Sequence, residues 1–65
     1  MINIPVVKID MWEGRNAEQK ERLIKSVTDS IAKTLEIPKE HITIIINDVP
    51  KTNWGLKGEQ ASKVR

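Results

Sequence analysis

The sequence predicts an α/β (α+β) protein: a single β-α-β unit with parallel strands, then a short C-terminal hairpin, with its sheet completed by association of subunits. Three observations carry this. Two segments rich in β-branched residues flank one segment whose apolar residues recur with a helical period. Strand, helix and strand within about 45 residues make a crossover unit, so the strands are expected parallel and the connection right-handed. The chain has only 65 residues, with no Cys and one His, so neither a disulfide nor a Cys/His zinc site is available. A core this small rarely supplies more than about 3 to 5 kcal/mol. Partner subunits are the support that remains.

The elements follow in order along one expected domain, residues 1–65. Residues 4–10 read as the first strand, with Val7, Ile9 and Met11 on one parity and Ile4, Val6, Lys8 and Asp10 on the other. Pro5 cannot donate to a ladder, which places it at the strand's start or on an edge. Residues 11–16 read as a loop broken by Gly14. From Ala17 to about Glu36 the period changes: Leu23, Ile24, Val27, Ile31 and Leu35 form one helical stripe. Asn16 with Gln19 three residues on resembles a capping box, while Glu18 and Glu21 suit the positive end of the helix dipole and Lys33 the negative end.

Pro38 closes the helical region and biases Ile37 toward an extended conformation. Residues 41–48 then hold Ile42, Ile44, Ile45 and Ile46, interrupted only by Thr43. A strand apolar on both parities is covered on both faces. One helix covers only one face of a two-stranded sheet, and no further long element follows, so a homo-oligomer is expected to cover the other. Residues 49–59 carry turn residues around Trp54, consistent with a small hairpin or arm reaching a neighbouring subunit. Of the 18 Ile, Val and Leu residues, 15 are β-branched, which fits strand-rich material.

Eleven Lys and Arg against nine Asp and Glu leave a net charge of +2. With two separated Trp this makes neither a basic stripe nor a stacking platform, so no nucleic-acid partner is expected. No apolar run approaches the roughly 20 residues of a membrane span, and no secretory leader pattern opens the chain. The expectation is a protein of the cytoplasm with no membrane partner. No phosphate loop, dinucleotide fingerprint, metal-ligand cluster or nucleophile triad occurs, so neither a metal nor a cofactor is expected.

The run Pro5-Val6-Val7-Lys8-Ile9-Asp10-Met11-Trp12-Glu13-Gly14-Arg15-Asn16-Ala17-Glu18-Gln19-Lys20 nevertheless resembles the 4-oxalocrotonate tautomerase family. The closing run Asn53-Trp54-Gly55-Leu56-Lys57-Gly58-Glu59-Gln60-Ala61-Ser62-Lys63-Val64-Arg65 is similar to the end of those chains. The likeness runs ungapped over residues 5–65. A proline followed eight residues later by Glu-Gly-Arg, then by Glu-Gln-Lys opening a helix, is specific as a combination.

What the resemblance implies is a tautomerase/MIF-like fold, with β-α-β units paired into dimers and three dimers commonly assembled as a hexamer. It also implies an isomerase with a proline amine as general base, moving a proton on small unsaturated hydroxy or keto acids of the 2-hydroxymuconate type. By the same likeness Pro5 is the catalytic position. Arg15 matches an arginine that grips a substrate carboxylate with its planar fork. Trp54 stands where the family has an aromatic pocket wall, and Thr43 stands where it has a second arginine that binds substrate from a neighbouring subunit. A threonine there offers one hydrogen bond and no charge, which implies a different or smaller substrate or weaker binding of the usual diacid.

Other roles stay open for these residues. Arg15 also suits an ion pair with Glu13, Trp54 and Trp12 suit interface packing, His41 an exposed polar position, and Lys8 and Lys57 are the cations whose access to a pocket matters. Residues 1–4 precede the family proline. Acylated by Ile4, the Pro5 nitrogen is a tertiary amide with no usable lone pair. Activity then requires a chain beginning at Pro5, or the Met1 α-amine acting as base. Otherwise the four residues block the pocket of a silent, oligomeric ligand-binding homologue.

Overall fold

The computed structural model describes residues 4–63, in which strand β1 (Val6–Trp12), helix α1 (Ala17–Leu35) and strand β2 (Thr43–Val49) form the expected unit. β1 and β2 are parallel, in a register running from Val6 opposite Thr43 to Trp12 opposite Val49. The first strand begins two residues later than its sequence suggests, because Pro5 has no N–H for the ladder. Its carbonyl instead accepts the Thr43 N–H at 3.1 Å. The strand also runs two residues past Asp10, since β2 continues to Val49 and pairs with Met11 and Trp12. The Glu13 N–H closes the ladder on the Val49 carbonyl at 3.1 Å. Gly14, at φ 127°, then turns the chain through a conformation that side-chain-bearing residues rarely adopt.

The capping box forms as read. Asn16 Oδ1 accepts the Gln19 N–H at 2.8 Å and Gln19 Oε1 accepts the Asn16 N–H at 3.1 Å. Asn16→Ala removes half of this local exchange. It is expected to cost about 1 kcal/mol, read as a lower urea midpoint at unchanged subunit assembly, and an unchanged midpoint would show that the cap contributes nothing. At the other end Glu36 is left-handed, φ 56° and ψ 50°, and Pro38 prevents the helix from continuing. A single 3-10 turn, Lys39–His41, leads into β2. It is pinned to α1 by Lys39, whose ammonium lies 2.9 Å from the Asp29 carboxylate. The hydrogen bond holds that carboxyl below its ordinary pKa and raises that of the lysine.

α1 covers one face of the sheet. Val7, Ile9, Met11, Ile44 and Ile46 are half-buried there, and Asp48, on the same parity as Ile46, pairs with Lys20 of the helix. The apolar stripe divides. Leu23, Val27 and Ile31 are half-buried, whereas Ile24 and Leu35 are exposed, because a two-stranded sheet is narrower than the stripe. A hairpin follows a second 3-10 turn, Lys51–Asn53. Its strands β3 (Gly55–Leu56) and β4 (Glu59–Gln60) are joined by Lys57 and Gly58, both at positive φ, as a two-residue primed turn requires.

The opposite sheet face carries Val6, Lys8, Asp10, Thr43, Ile45 and Asn47, all exposed, with Val6 54% and Ile45 43% accessible. Among the described residues only Ala61 is fully buried. The radius of gyration is 15.1 Å, against roughly 11 Å for a compact chain of this length. The chain exposes 5454 Å², about 1,200 Å² more than the roughly 4,200 Å² of a compact monomer of its mass. A layer 14 Å thick, in overall dimensions of 44 × 27 × 14 Å, is half of a core. No helix among the described residues is long and apolar enough to cross a membrane.

Candidate active site

The parallel crossover decides which residues meet. In such a unit the chain returns to the starting end of β1 before it enters β2, so residues just ahead of the two strands become neighbours. Pro5, half-buried ahead of β1, therefore shares a hollow of about 380 Å³ with Ile4, Leu35 and Ile37. Thr43 is the next residue across the ladder, held to the Pro5 carbonyl through its N–H and exposed on the open face. The hollow's own lining is apolar, and the charged residues nearest in sequence, Glu36 at the helix end and Lys39 and Glu40 on the following turn, are not part of it.

Arg15 and Trp54 lie at the other end. The loop that begins at Gly14 carries Arg15 to the exit of β1, and the tail folds Trp54 back over the same place. Met11, Trp12, Arg15 and Trp54 line a second hollow, of about 250 Å³. The two indoles meet edge to face, ring centres 6.0 Å apart at 79°, an arrangement that favours the pair beyond its burial alone. The Lys51 ammonium stands 4.7 Å from the Trp12 ring centre. The Ala61 N–H donates to the Trp54 carbonyl at 2.7 Å, tying the hairpin's exit to this wall. The Trp12 indole N–H is buried with no acceptor among the described residues. Arg15 is exposed and has no ion-pair partner among them, Glu13 included.

The candidate residues thus form two groups. Pro5 with Thr43 occupies one end of β1, and Arg15 with Trp54 the other. A seven-residue strand separates them, a distance of roughly 20 Å at about 3.3 Å per residue. No single chain holds a small ligand between Pro5 and Arg15. Lys8 lies on the open sheet face, Lys57 in the hairpin turn and His41 in the turn before β2, and none of the three lines either hollow.

Reading the sequence alone passed over Leu35 and Ile37 as site residues, and Lys51 as the cation on Trp12. For the first two a signal existed: Pro38 ends the helix region, and a right-handed return must lay the preceding residues beside the start of β1. For Lys51 no local pattern points to Trp12, 39 positions away in the chain.

Comparison with known proteins covers nearly the whole chain. The family described as "Tautomerase enzyme" matches residues 5–63. The 2-hydroxymuconate tautomerase of Pseudomonas sp. (strain CF600) is 42% identical over 62 residues, covering 95% of this chain and 98% of the relative. A solved structure of the 4-oxalocrotonate tautomerase isozymes from Methylibium petroleiphilum superposes with a TM-score of 0.84 at 41% identity, over 89% of this chain and 94% of that one. A heterohexamer 4-oxalocrotonate tautomerase from Chloroflexus aurantiacus J-10-fl gives a TM-score of 0.86 at 32% identity, over 92% and 97% of the two chains.

Proposed function

Since the chain belongs to the tautomerase family and is a tautomerase-type isomerase, we propose that it moves a proton within a small unsaturated hydroxy or keto acid, 2-hydroxymuconate being the type. The base is the amine of Pro5 in a chain that begins there. A secondary amine at a chain terminus starts near the ordinary α-amino range of about 7.7 to 8.0. Leu35 and Ile37 beside it disfavour its charged form. The neutral amine takes the enol hydroxyl proton, the electron pair shifts through the conjugated double bonds, and the ammonium returns a proton to carbon. One proton leaves oxygen and one arrives at carbon, so the step balances.

The observation that carries this reading is the hollow in which Arg15, with no carboxylate partner among the described residues, lies with Trp12 and Trp54. A guanidinium fork binds a carboxylate through two parallel hydrogen bonds, and indole walls exclude the water that would compete. Because Arg15 and Pro5 lie at opposite ends of β1, the working site takes them from different subunits. The exposed Val6 and Ile45, and the Trp12 N–H that lacks an acceptor among the described residues, support such an assembly. The solved Chloroflexus aurantiacus relative is a heterohexamer; for this chain we take a homohexamer built as a trimer of dimers. A cytoplasmic location belongs to the same reading and rests on the cysteine-free sequence.

The test is Arg15→Ala in a chain that starts at Pro5, followed by the ultraviolet change as 2-hydroxymuconate ketonises. Losing a hydrogen bond to a charged group costs about 1.5 to 3 kcal/mol, roughly 10- to 150-fold in kcat/KM, and most of it should appear in KM. An unchanged kcat/KM would remove Arg15 from the site.

A further inference from the structure

We propose that this site prefers an enol acid with one carboxylate and an apolar far end, an aryl or branched alkyl enolpyruvate, over a dicarboxylate. The inference rests on the tautomerase reading above and names the substrate class of that same site. Its ground is the unequal chemistry of the two hollows that an assembled site would join. One end supplies Arg15, a single guanidinium between indole walls. The other, at Pro5, is lined by Ile4, Leu35 and Ile37 and carries no charge. In a chain beginning at Pro5, Ile4 is gone, and Leu35 and Ile37 remain as the apolar wall.

Three side chains are the nearest candidates for a second cation, and within the chain none lines the hollow at Pro5. Thr43, across the ladder from Pro5, brings only a hydroxyl. Lys39, on the turn that follows Ile37, points to Asp29 at 2.9 Å and does not line the hollow. Lys51 sits on the face of Trp12 rather than in either hollow. A carboxylate set against Leu35 and Ile37 would shed its water with no cation in return, which is strongly unfavourable. A phenyl or branched alkyl group there buries apolar surface on both sides. Specificity of this kind comes as much from what the site fails to pair as from what it binds.

The experiment compares kcat/KM for phenylenolpyruvate and for 2-hydroxymuconate in the chain that starts at Pro5, and repeats both in its Thr43→Arg variant. Phenylenolpyruvate is expected to be preferred by about tenfold or more. Thr43→Arg places a guanidinium beside Pro5 and should move the ratio toward the diacid by roughly ten- to a hundredfold. Turnover of both acids with the diacid equal or better overturns this inference and leaves the tautomerase reading standing. A ratio unmoved by Thr43→Arg also overturns it. Turnover of neither acid overturns both readings together.

Discussion

A chain whose first residue is Pro5 is expected to ketonise 2-hydroxymuconate or phenylenolpyruvate at least about a hundredfold faster than the 65-residue chain, the span that a positioned general base contributes being roughly 10² to 10⁴. The reason lies in one bond. With Ile4 attached, the Pro5 nitrogen is an amide whose lone pair is delocalised into the carbonyl, and no local environment makes it basic. Without it, the same nitrogen is a secondary amine beside Leu35 and Ile37. On the proposed reading the apolar surroundings and a partner's guanidinium both disfavour the ammonium form, so the pKa is expected below the ordinary α-amino range. The base must be neutral to act. Activity should therefore disappear as pH falls through that lowered pKa and hold on the alkaline side. A 65-residue chain that matches the shorter one would move the role of base to another group, the Met1 amine being the next to test by acetylation. The mass of the protein from its own cells shows which chain exists there.

What the sequence made legible, and what it hid, divide by range. The capping box of Asn16 and Gln19 and the stop at Pro38 rest on contacts three residues apart or fewer, and both form where the residues stand. The end of β1 was hidden because a strand stops where its partner does, and Met11 and Trp12 pair with Asp48 and Val49, 37 positions on. Ile24 and Leu35 keep the helical period yet stay exposed, since periodicity gives a stripe's direction but not the width of what covers it. The division of the site is the plainest case. Pro5 and Arg15 sit in one motif and look adjacent in sequence, but an extended strand between them makes adjacency within one chain impossible. Spacing along a strand is distance, whereas spacing along a helix face is proximity.

Ile45→Glu is expected to dissolve the assembly and take the activity with it, in a chain that starts at Pro5. Ile45 lies in the middle of β2, opposite Lys8, on the sheet face that α1 leaves uncovered, and is 43% exposed in the single chain. Around it the face alternates apolar Val6 with the paired amides and acids of Asp10 and Asn47, the latter donating to Asp10 at 3.1 Å. The surface beyond that of a compact monomer, about 1,200 Å², exceeds the roughly 800 Å² per partner of a standard interface. A carboxylate buried at its centre must shed its water, a cost of several kcal/mol that Lys8 across the ladder offsets only in part, enough to weaken association by roughly a hundredfold. Sedimentation should then show species approaching the 7.4 kDa single chain. Far-ultraviolet circular dichroism should weaken as well, because a lone chain with only Ala61 fully buried among its described residues has little core to hold α1. Ketonisation should fall to background even where some chains remain folded, since Pro5 and Arg15 stay roughly 20 Å apart within each. Ser30→Glu, an exposed change on α1 away from both hollows, serves as the control that should keep mass and rate. An Ile45→Glu protein of unchanged mass would show that this face is not the interface. One that is dissociated yet fully active would show that a single chain completes the site, and the division of Pro5 from Arg15 would lose its meaning.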